Sequence, residues 1–189
     1  LEQLGLIRTQ PSGARVQSVN VASLAILGPL LALDDHPDPP LVDQFLQTFG
    51  VLAALTAKSA VNAASPEQLI QLEKLVVVKV KQIDNFEAMQ PYWKELLEAM
   101  SAIADNLVVR LICNDLKAQF VGQMMQLGIR PDLKKGSRDR LITALRVSLN
   151  KQNGEVAGQA MQDYFEEFRE AVGEAIRFRL DKPSNRAAN

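Results

Sequence analysis

Apolar residues return every three or four positions along most of this chain, and proline, glycine and capping residues break the pattern at intervals. Such spacing commits a sequence to amphipathic helices, because only a helix of about 3.6 residues per turn gathers those positions onto one face. The firmest boundary is Ser65-Pro66-Glu67-Gln68. A serine N-cap, a proline in the first helical position and a glutamine three residues after the cap make a capping box. It opens a helix over residues 66–82, where length and cap outweigh the strand preference of Val76-Val77-Val78. Before it, Phe45, Leu46, Phe49, Leu52, Ala53 and Thr56 set a long helix over 41–63, separated by Pro37, Pro39 and Pro40 from what precedes. Asn20 is placed to cap a first helix through Val21, Leu24, Leu27 and Leu31.

Tyr92, Trp93, Leu96, Leu97 and Met100 mark a fourth helix from about Pro91, and Asp105-Asn106 caps a fifth over 107–127, closed by Gly128 ahead of Pro131. Ser137 opens a sixth to about 152, and Asn153-Gly154 separates it from a last helix over 154–180. The expectation is an all-α chain, a seven-helix antiparallel bundle, with no repeat of fixed period.

The 189 residues, 47% hydrophobic, suffice for one helical core plus a remnant. No stretch approaches the roughly 18 uninterrupted apolar residues of a membrane span, and no secretory leader pattern opens the sequence, so no membrane partner is expected. A lone cysteine, Cys113, excludes an internal disulfide framework and suits the reducing cytoplasm; within an apolar helix it reads as a buried, inert thiol. Catalysis finds no support. There is no Gly-x-Ser-x-Gly elbow and no glycine-rich phosphate loop, and His36 lies in an Asp/Pro linker without a triad setting. Glu166, Glu167 and Glu170 on one helix read as a solvated face, and the cations between Arg130 and Arg146 and from Arg177 to Arg186 read as solvated helix ends, with a basic tail against DNA as the sharper alternative.

The amino-terminal residues are of another kind. Leu1, Leu4, Leu6 and Ile7 form the apolar side of a helix end that Gly5 stops, and Pro11-Ser12-Gly13 is turn chemistry between extended runs 6–9 and 14–16. A helix end running into a short β-hairpin reads as the wing of a winged helix-turn-helix, with the chain beginning inside that domain. The division expected is a winged-domain remnant at 1–17, a linker helix and Pro-rich loop at 18–40, a helical effector-binding and dimerisation domain at 41–182, and a tail at 183–189.

Three segments carry a family resemblance: Leu4-Gly5-Leu6-Ile7 with Ala14-Arg15-Val16; the linker from Asn20 to Leu33-Asp34-Asp35; and Leu141-Ile142-Thr143-Ala144-Leu145, followed by Glu155-Val156-Ala157 and Met161. On them the chain resembles the FadR subfamily of GntR-type transcription regulators, whose carboxyl-terminal effector domain is an all-helical bundle. The resemblance implies a homodimer that binds DNA through a complete amino-terminal domain and responds to a small-molecule effector. It also implies phosphate or minor-groove contact by the wing residues Arg8, Thr9, Gln10, Ser12 and Arg15. Where many members hold a metal with one Asp and three His, this chain has Trp93, Leu97, Arg138 and Tyr164, so neither metal nor cofactor is expected. Where members carry an arginine toward an acid ligand, it has Phe49.

These exchanges make a greasier cavity that suits a small hydroxy-acid poorly, and the resemblance implies a fatty acyl compound such as an acyl-CoA in its place. Arg138 and Tyr164, with Arg110 and Asn114 one turn apart, are the candidate polar anchors beside Phe49, Trp93 and Leu97. The alternative is a dimerisation or interaction module with no small-molecule effector. Its bundle centre would be filled by Phe49, Trp93, Phe120 and Tyr164.

Overall fold

The protein was characterised as a computed structural model describing residues 1–31, 38–76, 86–126, 131–134 and 136–180; for 86–90, 117–126 and 180 only the backbone is described. An antiparallel hairpin of β1 (Ile7–Gln10) and β2 (Gly13–Val16) is followed by seven α-helices among the described residues. These are α1 (Leu27–Leu31), α2 (Pro39–Ala63), α3 (Pro66–Lys74), α4 (Phe86–Ala104), α5 (Leu107–Gln126), α6 (Ser137–Asn150) and α7 (Gly154–Leu180). The fold is therefore all-α with one small hairpin. No helix among the described residues is long and apolar enough to cross a membrane.

Gly5 stops the chain ahead of the hairpin as its φ of +72° allows. The Leu6 amide donates to the Leu1 carbonyl at 3.1 Å and the Gly5 amide to the Glu2 carbonyl at 2.9 Å, the paired bonds of a Schellman closure. Residues 1–4 form a turn rather than a helix. After the hairpin, the single helix expected from Asn20 to Leu31 is instead two 3-10 turns, Val19–Val21 and Leu24–Ile26, ahead of the five-residue α1. Ser18 and Ser23, not Asn20, supply the capping oxygens, accepting from Asn20 N–H and Ala25 N–H. Two serine caps five residues apart restart the chain before any α-helical turn can propagate.

Helix α2 begins two residues earlier than read, because Pro39 and Pro40 occupy its first two positions, where a missing N–H costs nothing. The capping box at Ser65 is present in both directions: Gln68 N–H donates to Ser65 Oγ at 3.3 Å, and Ser65 N–H to Gln68 Oε1 at 2.8 Å. The expected helix beyond Val76, with Val77 and Val78, lies outside the described residues, as do Leu127, Gly128 and His36. Helix α4 starts at Phe86, so Pro91 sits inside it rather than at its head; the helix forgoes one backbone bond there. Asn106 caps α5 as read, its Oδ1 accepting from Val109 N–H at 3.1 Å. Helix α6 ends at Asn150, because Gln152 turns left-handed (φ +47°) and its side chain donates to the Ala64 carbonyl at 2.9 Å.

The long helices α2 and α7 pack antiparallel. Asp43 meets Arg169, Phe49 meets Phe165, and Lys58 and Asn62 meet the start of α7 at Glu155 and Gly154. Small residues bring them close. A Cβ on Gly50 would lie 2.9 Å from Phe165 Cβ, and one on Gly158 3.2 Å from the Ala54 carbonyl oxygen. One core gathers α2, α3, α4, α6 and α7 around Ala57, Val61, Leu72, Leu96, Met100, Leu145 and Met161. A second, around Leu31, Val42, Leu46, Leu116 and Ile176, ties α1 and α5 to the other end of the α2–α7 pair.

Gly154 has the least room of all. A Cβ there would overlap the Lys58 carbonyl oxygen and come within 2.5 Å of Asn62 Oδ1. Gly154→Ala is therefore expected to cost about 1–3 kcal/mol of unfolding free energy by overpacking, read as a lowered urea midpoint. A midpoint equal to wild type would show that the two helices can part at no cost.

Candidate effector site and hairpin

Helical spacing builds the site from three elements. Phe49, Ala53 and Thr56 follow one another along one side of α2, Leu97 and Ser101 stand one turn apart on α4, and Cys113 and Asn114 come from α5. Together they line a cleft of about 20 Å³. That is room for a water molecule, against roughly 300–1,000 Å³ for the pocket of a drug-sized ligand. Thr56 is buried and donates to the Leu52 carbonyl at 2.8 Å. Asn114 lies exposed at the cleft's edge, and Cys113 is half-buried in its wall rather than sealed in the core.

Beside the cleft, rings fill the centre. Phe49 lies edge-on to Phe165 at 5.4 Å, Trp93 contacts Tyr164 at 5.2 Å and Phe165 at 6.2 Å, and Tyr164 stacks on Phe168 at 6.5 Å. Offset and edge-to-face pairs at such separations are attractive beyond the area they bury. Of the residues expected in an effector pocket, Phe49, Leu97 and Asn114 share the cleft, whereas Trp93 and Tyr164 pack in the adjoining aromatic centre. The side chain of Phe120 lies outside the described residues. Arg110 does not join them. Its guanidinium turns back to the Ser101 carbonyl at 3.1 Å and lies 3.8 Å from Asp105, pinning the start of α5 to the end of α4.

Arg138 is half-buried on α6, near enough to Tyr164 for its charge to act on the phenol. Burial pushes the Tyr164 hydroxyl up to about 12, Arg138 opposing and Glu167 adding to the shift, so the residue is a neutral phenol at physiological pH. Next to it lies a polar cluster that spacing alone did not reveal. Buried Ser137 sets its one hydroxyl between Glu167 and the Lys134 carbonyl, either of which can accept its proton, and Arg140 donates to both Glu167 oxygens at 2.7 Å. Lys134 pairs with Glu170 at 2.7 Å. Of the carboxylate face read on α7, Glu166 and Glu170 are exposed as read, while Glu167 is half-buried and joins the helix to Ser137 and Arg140. Thr56, Ala53 and Ser101 were also missed, although each lies four or seven positions from a residue already singled out.

In the hairpin, Arg8 stands directly opposite Arg15, Thr9 opposite Ala14 and Gln10 opposite Gly13, with Pro11 and Ser12 at the tip. Both arginines are exposed, and neither side chain has an ion pair or hydrogen bond among the described residues. The Thr9 N–H donates to Glu2 Oε1 at 3.1 Å, and the Arg15 carbonyl accepts from Gln17 Nε2 at 3.3 Å. Compared with family models, curated proteins and solved structures, the chain finds no match.

The Arg140 hydrogen bonds, then the Ser137 hydroxyl, hold the Glu167 carboxyl below its ordinary 4.5. A carboxylate depressed by folding contributes stability that is present above its unfolded pKa and lost as pH falls through the folded value. Wild type is therefore expected to lose more of its urea midpoint than Glu167→Gln between about pH 6 and pH 3. Parallel curves would mean that the cluster contributes nothing to folding.

Proposed function

We propose that this chain is the ligand-sensing and dimerisation part of a DNA-binding transcription regulator of the GntR/FadR type, metal-free and cytoplasmic, with the hairpin as its wing. The observation that carries the reading is the cross-strand pair of Arg8 and Arg15, exposed and without an ion pair among the described residues. Like charges directly opposite on a hairpin cost stability unless an anion lies against them. Duplex phosphates supply such anions at close, regular spacing, and Thr9, Gln10 and Ser12 add hydrogen-bonding groups at the same tip. Reading of base edges belongs to a helix-turn-helix ahead of this hairpin in the complete regulator.

A second support is that Trp93, Leu97 and Tyr164, at positions where the resembling family builds its effector cavity, pack in one core. They bring rings and methyl groups rather than metal ligands, which suits an acyl compound. In this arrangement the centre is filled by the protein's own side chains. An acyl effector must therefore select another packing of the same helices, and its differential affinity for that packing is what shifts the wings. The filled centre and the small cleft favour a second reading, in which the helices only dimerise and take no effector.

Two measurements test these readings. In a regulator carrying the complete winged domain, replacing both Arg8 and Arg15 by Ala is expected to reduce the slope of log affinity against log salt by about two, one for each phosphate contact. An unchanged slope would remove the hairpin from the DNA interface. For the effector, a long-chain acyl-CoA in excess should raise the melting temperature while CoA alone does not, and EDTA should have no effect. If no acyl compound shifts the transition, the module without an effector takes the place of the sensor.

A further inference from the structure

We infer that Asn153-Gly154 is a site of spontaneous covalent modification, where the asparagine side chain closes on the next backbone amide and reopens as aspartate or isoaspartate, and that the contact with Asn62 sets its rate. Asn-Gly occurs once in the sequence. The other asparagines are each followed by a residue with a side chain or end the chain. A side chain crowds the backbone nitrogen that has to attack, and glycine leaves it open. Asn153 is exposed to the water that the reaction consumes, while Gly154 is buried against α2.

The Gly154 backbone nitrogen, losing its proton to solvent hydroxide, bonds to Asn153 Cγ. The Cγ–Nδ2 bond breaks, and the side-chain nitrogen takes a proton from water and leaves as ammonia. Water then opens one of the two carbonyls of the resulting five-membered imide. Opening at Cγ gives aspartate. Opening at the main-chain carbonyl leaves Gly154 joined through Cγ, an isoaspartate with one more carbon in the backbone.

The fold keeps the two reacting groups apart. The Gly154 N–H donates to Asn62 Oδ1 at 3.0 Å, so the proton that must leave is engaged. Asn153 Oδ1 accepts from the Glu155 and Val156 amides at 3.1 and 3.3 Å as the N-cap of α7, which holds the side chain over the helix's first turn. Ring closure therefore requires this end of α7 to part from α2. The outermost tie there is the Lys58–Glu155 ion pair, with side chains 43% and 75% exposed, and exposed pairs contribute little. The end can thus open locally, below the cost of unfolding the whole chain. Once isoaspartate has formed, the contact does not return. Gly154 sits where even a Cβ would overlap the Lys58 carbonyl oxygen, so a lengthened backbone has no room to bring its amide back to Asn62. The aspartate product keeps the cap, because a carboxylate accepts from the same amides and suits a helix N-terminus.

Peptide mapping by mass spectrometry, with isoaspartate resolved by chromatography, tests the inference on the full chain incubated in neutral buffer. Chain unfolded in guanidinium is expected to convert Asn153 first among its asparagines, and at least about a hundredfold faster than folded wild type. Asn62→Ala should convert about tenfold faster than wild type while still folded. Leu116→Ala, which truncates a buried side chain at the other end of the α2–α7 pair, separates local opening from general destabilisation and should convert at nearly the wild-type rate. Asn153→Asp should keep the wild-type urea midpoint, and the purified isoaspartate form should have a lower one. Equal rates in folded and unfolded chain, an Asn62→Ala rate equal to wild type, a Leu116→Ala rate equal to that of Asn62→Ala, or an isoaspartate form as stable as wild type would each overturn it.

Discussion

The close approach of α2 and α7 is the constraint on which the other contacts of this chain depend. Gly50, Gly154 and Gly158 remove the side chains that would hold the two backbones apart, and Ala53, Ala57, Ala60, Ala157 and Ala160 keep the remaining contact shallow. Packing at that distance multiplies weak dispersion contacts along a helix pair 25 and 27 residues long. Small residues alone would leave the register free to slide. It is pinned near one end by Arg169 on Asp43 at 3.1 Å, and at the other by the Gly154 amide on Asn62 Oδ1 at 3.0 Å, beside Lys58 on Glu155.

With that register set, the aromatic centre follows. Phe165 can lie over Gly50 only because no Cβ stands there, and from that position it reaches Phe49 on one side and Trp93 and Tyr164 on the other. Burial of Tyr164 then leaves its hydroxyl a neutral group beside Arg138, a donor at physiological pH rather than a charge. The same packing that gives the centre its rings leaves a small cleft beside it. On the effector-sensing reading proposed above, sensing and filling compete for one volume. On that same reading an acyl effector is accommodated by moving helices, and α4 and α5, each holding one wall of the cleft, are the elements whose displacement would open it.

What the sequence made legible was whatever depends on neighbours in the chain. The capping box at Ser65, the Asn106 cap, the stop at Gly5 and the break at Asn153-Gly154 are local chemistry, and each stands where it was read. Apolar spacing also placed Phe49 and Leu97 on the faces that meet. The misreadings arose where two local rules competed. Asn20 is a good cap, but Ser18 and Ser23 flank it and divide the segment between them; Pro91 is a good helix start, yet α4 runs through it. What the chain could not disclose was long-range pairing. Glu167 looks like one more solvated acid until the end of α6 that carries Ser137 and Arg140 is laid beside it. Arg110 looks like a pocket anchor until α5 is seen to begin beside the Ser101 carbonyl.

That long-range pairing also decides where an anionic partner finds free charge. By count, the basic residues from Lys134 to Arg146 are the more obvious candidates for nucleic acid. Much of that charge is already committed: Lys134 to Glu170, Arg140 to Glu167, and Arg146 to Glu73 at 3.6 Å. A phosphate approaching there has to displace a carboxylate that is already in place and close to its partner. At the hairpin nothing has to be displaced. Arg8 and Arg15 face one another across two strands, and among the described residues neither side chain is in an ion pair or hydrogen bond, so on the proposed reading a phosphate against them relieves a repulsion as well as adding an attraction. This is why the proposed reading puts the anion contact at the smaller cluster of cations: the electrostatic gain of a contact is measured from the state it replaces.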